Sequence, residues 1–75
     1  MVKAARISIN LIFKETGEIA FSGEAESPIA ALRVFYEANG WPPFLWLDDK
    51  RIDYDKENPE HLKLDLDQFW SVYLR

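Results

Sequence analysis

The stretch Gly40-Trp41-Pro42-Pro43 constrains this chain most, because it dictates where a helix must stop. Glycine can take the left-handed backbone conformation that ends a helix, and two prolines prevent its resumption. Upstream, Ser27-Pro28 is the matching start signal, with Ser as N-cap and Pro at the first helical position. The bracketed segment, about 28–39, places Ile29, Leu32, Phe35 and Tyr36 on one stripe and leaves Arg33 and Glu37 four apart outside it. A helix of about twelve residues is marginal alone, so it must lie on something.

The flanking segments supply a sheet. Ile7, Ile9, Leu11 and Phe13 alternate with Ser8, Asn10 and Ile12, the period-two pattern of a strand with one buried face. A three-residue loop, Glu15 to Gly17, sets Lys14 opposite Glu18 and Phe13 opposite Ile19. The second strand, about 18–26, is expected to face Ile19, Phe21 and Ala25 inward. After the prolines come a strand over about 44–47, a turn at Asp48-Asp49 and a short strand near 50–54. Residues 55–68 are ambiguous, and 59–75 admit two readings. Leu62, Leu66, Phe69, Trp70 and Tyr73 fall at helical spacing, whereas Leu62, Leu64 and Leu66 alternate with Lys63 and Asp65, and Phe69 to Leu74 is strand-like. We take a terminal strand as the expectation and a terminal helix as the alternative.

At 75 residues the chain reads as one domain, 1–75, near the lower limit for folding without staples. It has no Cys, and its 48% apolar and 15% aromatic content is that of a folded core. The net charge of −4 lies entirely in 48–67, where eight acids face four bases; elsewhere the signs balance. Acidic surfaces are repelled by phosphate backbones and anionic membranes, so neither nucleic acid nor membrane is an expected partner. No apolar run approaches the ~18 residues needed to span a bilayer, and the N-terminus lacks a signal-like apolar region. A cytoplasmic protein is the default expectation.

The order of elements resembles the ubiquitin-like (β-grasp) superfamily across nearly the whole chain. Gly40-Trp41-Pro42-Pro43 is similar to the Gly-Ile-Pro-Pro that closes the family's helix. Leu45-Trp46-Leu47-Asp48-Asp49-Lys50-Arg51-Ile52 is similar to its following strand and turn, and Val72-Tyr73-Leu74-Arg75 to its last strand. Asn10-Leu11-Ile12-Phe13 also resembles a hairpin strand of the immunoglobulin-binding β-grasp domain of protein L. The resemblance implies an α+β fold with a mixed sheet of four or five strands and one helix packed across it. Conjugating members end in Gly-Gly; the sequence here reads Leu74-Arg75, so the expectation is non-covalent recognition rather than conjugation or sulfur transfer.

Strand alternation puts Leu45, Leu47, Trp70, Val72 and Leu74 inward, and Phe44, Trp46, Phe69, Ser71 and Tyr73 outward. The resemblance implies that Trp46 and Tyr73 stand where the family carries its recognition patch, on neighbouring strands. Phe69, Phe44 and Ile12 then complete an exposed aromatic patch, rimmed by Asp48, Asp49 and Asp53. Core completion and a homodimer seam are the competing readings of the same rings.

Catalysis has no support. His61 is the sole His and has no nucleophile or second His at a suggestive spacing. Asp53-Tyr54-Asp55-Lys56-Glu57 has the alternating acids of a calcium loop, but Asn58 and Leu64 stand where an EF-hand needs Gly and Glu. It reads as a solvated acidic loop, and no cofactor or metal is expected. The expected function is a non-catalytic protein-binding module, monomeric or weakly dimeric, with an unidentified partner. Alternatives are a small structural subunit of a multicomponent enzyme, or an engineered binder or scaffold.

Overall fold

The computed structural model describes residues 6–74. Seven elements follow one another: β1 (Ile7–Phe13), β2 (Ile19–Ala25), α1 (Pro28–Asn39), β3 (Phe44–Leu47), β4 (Lys50–Asp53), α2 (Pro59–Phe69) and β5 (Trp70–Leu74). The α+β class is as expected. The arrangement of strands differs from the expected single mixed sheet: there is a three-stranded sheet in the order β2-β1-β5 and a separate β3-β4 hairpin. Among the described residues every pairing is antiparallel, whereas a mixed sheet needs at least one parallel pair.

The segment 59–74 explains the difference, because it holds both of the structures weighed for it, a helix and then a strand. Asn58 caps α2 by accepting from the Glu60 N–H at 2.9 Å, and Pro59 occupies the first turn. The helix then buries Leu62, Asp65 and Leu66 and ends at Phe69, where the chain becomes extended without a loop. This exit lies beside Phe13: Trp70 pairs with Phe13 and Leu74 with Ile9, so β5 runs back along β1. A second helix thus replaces the expected long loop and sets the direction of the last strand.

The cap signals of α1 act as read. The Ser27 hydroxyl accepts from the Ala30 N–H at 3.1 Å. Gly40 has φ of 100° and donates its N–H to the Tyr36 carbonyl at 2.7 Å. The β1–β2 register departs from expectation. The loop is Lys14–Gly17, because the Phe13 N–H bonds the Glu18 carbonyl at 3.0 Å, and an irregularity then leaves Leu11 opposite Phe21 but Ile12 opposite Ile19. The extra residue, Ala20, turns Ile19 outward, where it is 60% exposed rather than buried.

The core lies between the inner face of the three-stranded sheet and the two helices. Ile9, Leu11, Leu32 and Leu62 are almost fully enclosed, each worth about 1.5–3 kcal/mol of burial. Ala25, Ala31, Tyr36, Leu66 and Trp70 complete it.

Candidate functional site

Phe44 and Trp46 share one face of the β3–β4 hairpin, as period two requires. Their rings meet edge to face with centroids 5.9 Å apart. Trp46 is 48% exposed and Phe44 half-buried. On β4, Arg51 lies opposite Trp46 and stacks its guanidinium over Phe44 at 4.0 Å from the ring centroid. Leu45, on the other face, is buried, but Leu47, expected to join it, is exposed. The hairpin closes through Asp48 (φ 51°) and Asp49 (φ 64°), two left-handed residues as a type I′ turn demands.

Phe69 is the last residue of α2, not part of an open strand face as expected, and is partly exposed. It joins Phe44 at a cleft of about 210 Å³ that is also lined by Phe13, Glu15, Tyr36, Pro42, Leu45 and Asp65. The Gln68 side chain donates to the Trp46 carbonyl at 3.2 Å and so ties α2 to the hairpin. Tyr73 and Ile12 lie elsewhere. They face outward on the three-stranded sheet, where Tyr73 opposes Asn10 and Ser71 opposes Ile12. Tyr73 is 58% exposed and Ile12 half-buried. The expected adjacency of β3 and β5 does not occur: β5 pairs with β1 and β3 with β4. The structure therefore divides the five residues into a Phe44–Trp46–Phe69 group and a Tyr73–Ile12 pair.

Sequence reasoning passed over a buried polar cluster behind the cleft. Asp65 is only 4% exposed, and its Oδ2 accepts the Tyr36 hydroxyl at 2.7 Å. The Trp70 indole N–H donates to that same hydroxyl at 3.3 Å. The Tyr54 hydroxyl is also buried and makes no hydrogen bond of good geometry, although it lies near enough to sense the Asp65 charge. Burial pushes the Asp65 carboxyl above its ordinary range, partly opposed by the tyrosine hydroxyls. Burial first, and the neighbouring carboxylate second, push both tyrosines well above theirs. Trp41 lies 5.3 Å from the Tyr36 ring and 5.6 Å from that of Tyr54, and Trp70 packs on Phe13 and Phe35 at 5.3 and 5.5 Å. One sequence signal did mark this cluster: Leu62, Asp65, Leu66 and Phe69 follow i, i+3, i+4, i+7, which sets an acid on an apolar stripe.

His61 holds a loop together, its Nδ1 accepting the Asp55 N–H at 3.1 Å. Asp55 itself accepts from the Glu57 N–H at 3.0 Å in a local turn. Among the described residues, no group of three or more His, Asp or Glu converges to hold a metal ion. Among the same residues, no helix is long and apolar enough to cross a membrane. Comparison of the chain with family models, with curated proteins and with solved structures found no match.

Proposed function

We propose that this small α+β domain is a non-catalytic protein-binding module whose contact surface is built on Phe44, Trp46 and Phe69. The observation that carries this reading is Trp46: a large ring left half in solvent, braced by Phe44, on a projecting hairpin. Trp and Tyr are favoured anchors because they bury large areas at small entropic cost. Asp48, Asp49 and Asp53 stand at the ends of β4 with Lys50 and Arg51 between, and Arg51 lies over Phe44, so the rings carry a polar rim of mixed charge. Tyr73, Ile12 and Ile19 offer a second, smaller contact on the open sheet face. The ubiquitin-like resemblance agrees with hairpin, helix and hairpin in sequence and with non-covalent recognition. The antiparallel β1–β5 ladder means that the reading rests on this surface and not on ancestry.

The test uses folded wild-type, Trp46→Asp and Val34→Asp proteins as parallel baits, followed by direct titration of whatever is retained. Val34 is exposed on α1 and serves as a control. A partner that loses about 30-fold or more in affinity with Trp46→Asp, and little with Val34→Asp, supports the proposal. Retention that ignores Trp46 overturns it.

A further inference from the structure

We propose that the cleft between α2, β3 and the end of β1 takes an alkylammonium group, with Asp65 as its counter-charge. The inference is separate from the protein-binding reading, since a free ammonium compound satisfies it.

Three observations converge. First, Asp65 is a buried acid whose partner is a neutral hydroxyl; among the described residues no Lys, Arg or His forms an ion pair with it. A buried carboxylate without a cation is costly, and violations of local consistency of this kind are expected where a site must do something. Second, the cleft that reaches Asp65 has the rings of Phe13, Tyr36, Phe44 and Phe69 among its lining residues. Ring faces carry negative quadrupole potential and attract weakly hydrated cations. Phe44 already accepts Arg51 on one face, Phe13 packs edge-on against Trp70, and Tyr36 packs among Phe35, Trp41, Tyr54 and Trp70, which leaves the partly exposed Phe69 as the freest wall. Third, the charged residues lining the cleft are Asp65 and Glu15, both acidic. Nearby Lys14 turns its ammonium to the Asp67 carbonyl at 2.8 Å.

The chemistry selects among cations. A metal ion needs several oxygen or nitrogen ligands, and here one buried carboxylate is set among rings. At about 210 Å³ the cleft is smaller than the ~300–1,000 Å³ of a site for a drug-sized molecule, so it suits a head group. A methylated ammonium, soft and poorly hydrated, matches rings and carboxylate together. It can arrive as a free compound or as a methylated lysine side chain, and the experiment separates the two.

Wild-type protein is titrated calorimetrically with choline, with its neutral isostere 3,3-dimethylbutan-1-ol, and with a short peptide carrying trimethyllysine. Choline or the peptide is expected to bind saturably, with the isostere at least about tenfold weaker than the cation. Asp65→Asn and Phe69→Leu, each checked for folding by circular dichroism, should weaken cation binding at least about fivefold. Phe69→Leu alters a partly exposed ring and keeps the result interpretable if Asp65→Asn does not fold. A peptide that binds well above choline identifies a modified polypeptide as the source; equal affinities identify a free ammonium compound. Absence of binding by both cations, an isostere that binds as well as choline, or cation affinity unmoved in the folded variants overturns the assignment.

Discussion

The three-stranded sheet with its two helices and the β3–β4 hairpin are built from the same aromatic-rich sequence and end in opposite circumstances. Trp70, on the sheet, is 6% exposed and ringed by Phe13, Phe35 and Tyr36. Trp46, on the hairpin, meets Phe44 and then solvent. A two-stranded hairpin is marginal by itself, so this one must be fastened. The fastening is at its base: Trp41 before β3 and Tyr54 after β4 stack on each other, and the Tyr54 N–H bonds the Pro43 carbonyl at 3.1 Å. Leu45 adds one buried anchor. Rings at the base belong to the core, and rings farther out remain free for contact.

Substituting the two tryptophans breaks or upholds this contrast most directly. Trp70→Ala should cost about 3–5 kcal/mol and Trp70→Asp should unfold the domain, because each removes the ring that joins β5 to α1. Trp46→Ala should change stability by no more than about 0.5–1 kcal/mol. Chemical denaturation of both variants measures the difference. A similar loss for Trp46 would place it in the core and remove the proposed contact surface.

The two tyrosines facing Asp65 give a finer contrast. Tyr36→Phe removes the bond to the carboxylate and the acceptor of the Trp70 N–H, and should cost about 1–3 kcal/mol. Tyr54→Phe removes a buried hydroxyl that faces Asp65 without a hydrogen bond of good geometry, and should change stability by less, within about 1 kcal/mol of neutral. Equal losses from the two variants in denaturant titrations would show that Tyr54 also bonds Asp65.

Asp65→Asn sharpens the same point through pH. Folding raises the carboxyl pKa, so the native state holds this proton more tightly than the unfolded chain does. Stability from this group therefore increases as pH falls from the raised native value toward the ordinary ~3.9, and decreases as pH rises. Asparagine can still accept from Tyr36 and can offer its amide to the Tyr54 hydroxyl. The variant should be more stable than wild type by about 1 kcal/mol at neutral pH, with the gap narrowing on acidification. The tyrosines act at the other end of the scale. Their raised pKa values give stability that is complete below about pH 10 and lost above it, and Tyr54→Phe should lessen that alkaline loss. Melting curves across pH for the three proteins check both signs.

Local chemistry made part of this architecture legible in the sequence. Helix α1 was bounded by Ser27-Pro28 and Gly40 because caps are decided by neighbours along the chain. The β3–β4 hairpin followed from Asp48-Asp49 at the end of the apolar run Phe44–Leu47, and Trp46 was correctly placed outside. What depended on distant partners was not legible. The register of β2 turned on one extra residue, Ala20, which no local pattern announces, and Ile19 changed faces with it. Between Pro59 and Phe69, alternating leucines fit strand and helix alike, and contact with α1 decides for the helix. Once α2 exists, β5 can pair only where the helix delivers it. The imagined neighbourhood of Trp46 and Tyr73 dissolves for that reason. Asp65 was counted among surface acids because its position on an apolar stripe means nothing until the stripe is known to be helical.

The turn of the hairpin supplies the smallest expected effect. Asp48 and Asp49 both hold positive φ, a conformation that aspartate tolerates and glycine adopts freely. The second position of a type I′ turn is the one that glycine fills best, giving the Asp-Gly pair that such hairpins favour. Asp49→Gly relieves the left-handed strain but adds entropy to the unfolded chain, and the two effects partly cancel. The net expectation is a gain of about 0.5 kcal/mol, read as a small rise in denaturation midpoint at constant slope. The side chain of Asp49 is exposed and the turn lies beyond the clamped base, so Trp70 and the Asp65 cluster should be unaffected. If the hairpin is fastened only through its base, stiffening the tip leaves the global transition almost unchanged while slowing amide exchange along β3 and β4. A large global gain would instead show that hairpin and core unfold as one unit, and that the division between a packed base and a free tip is less sharp than the exposure of Trp46 indicates.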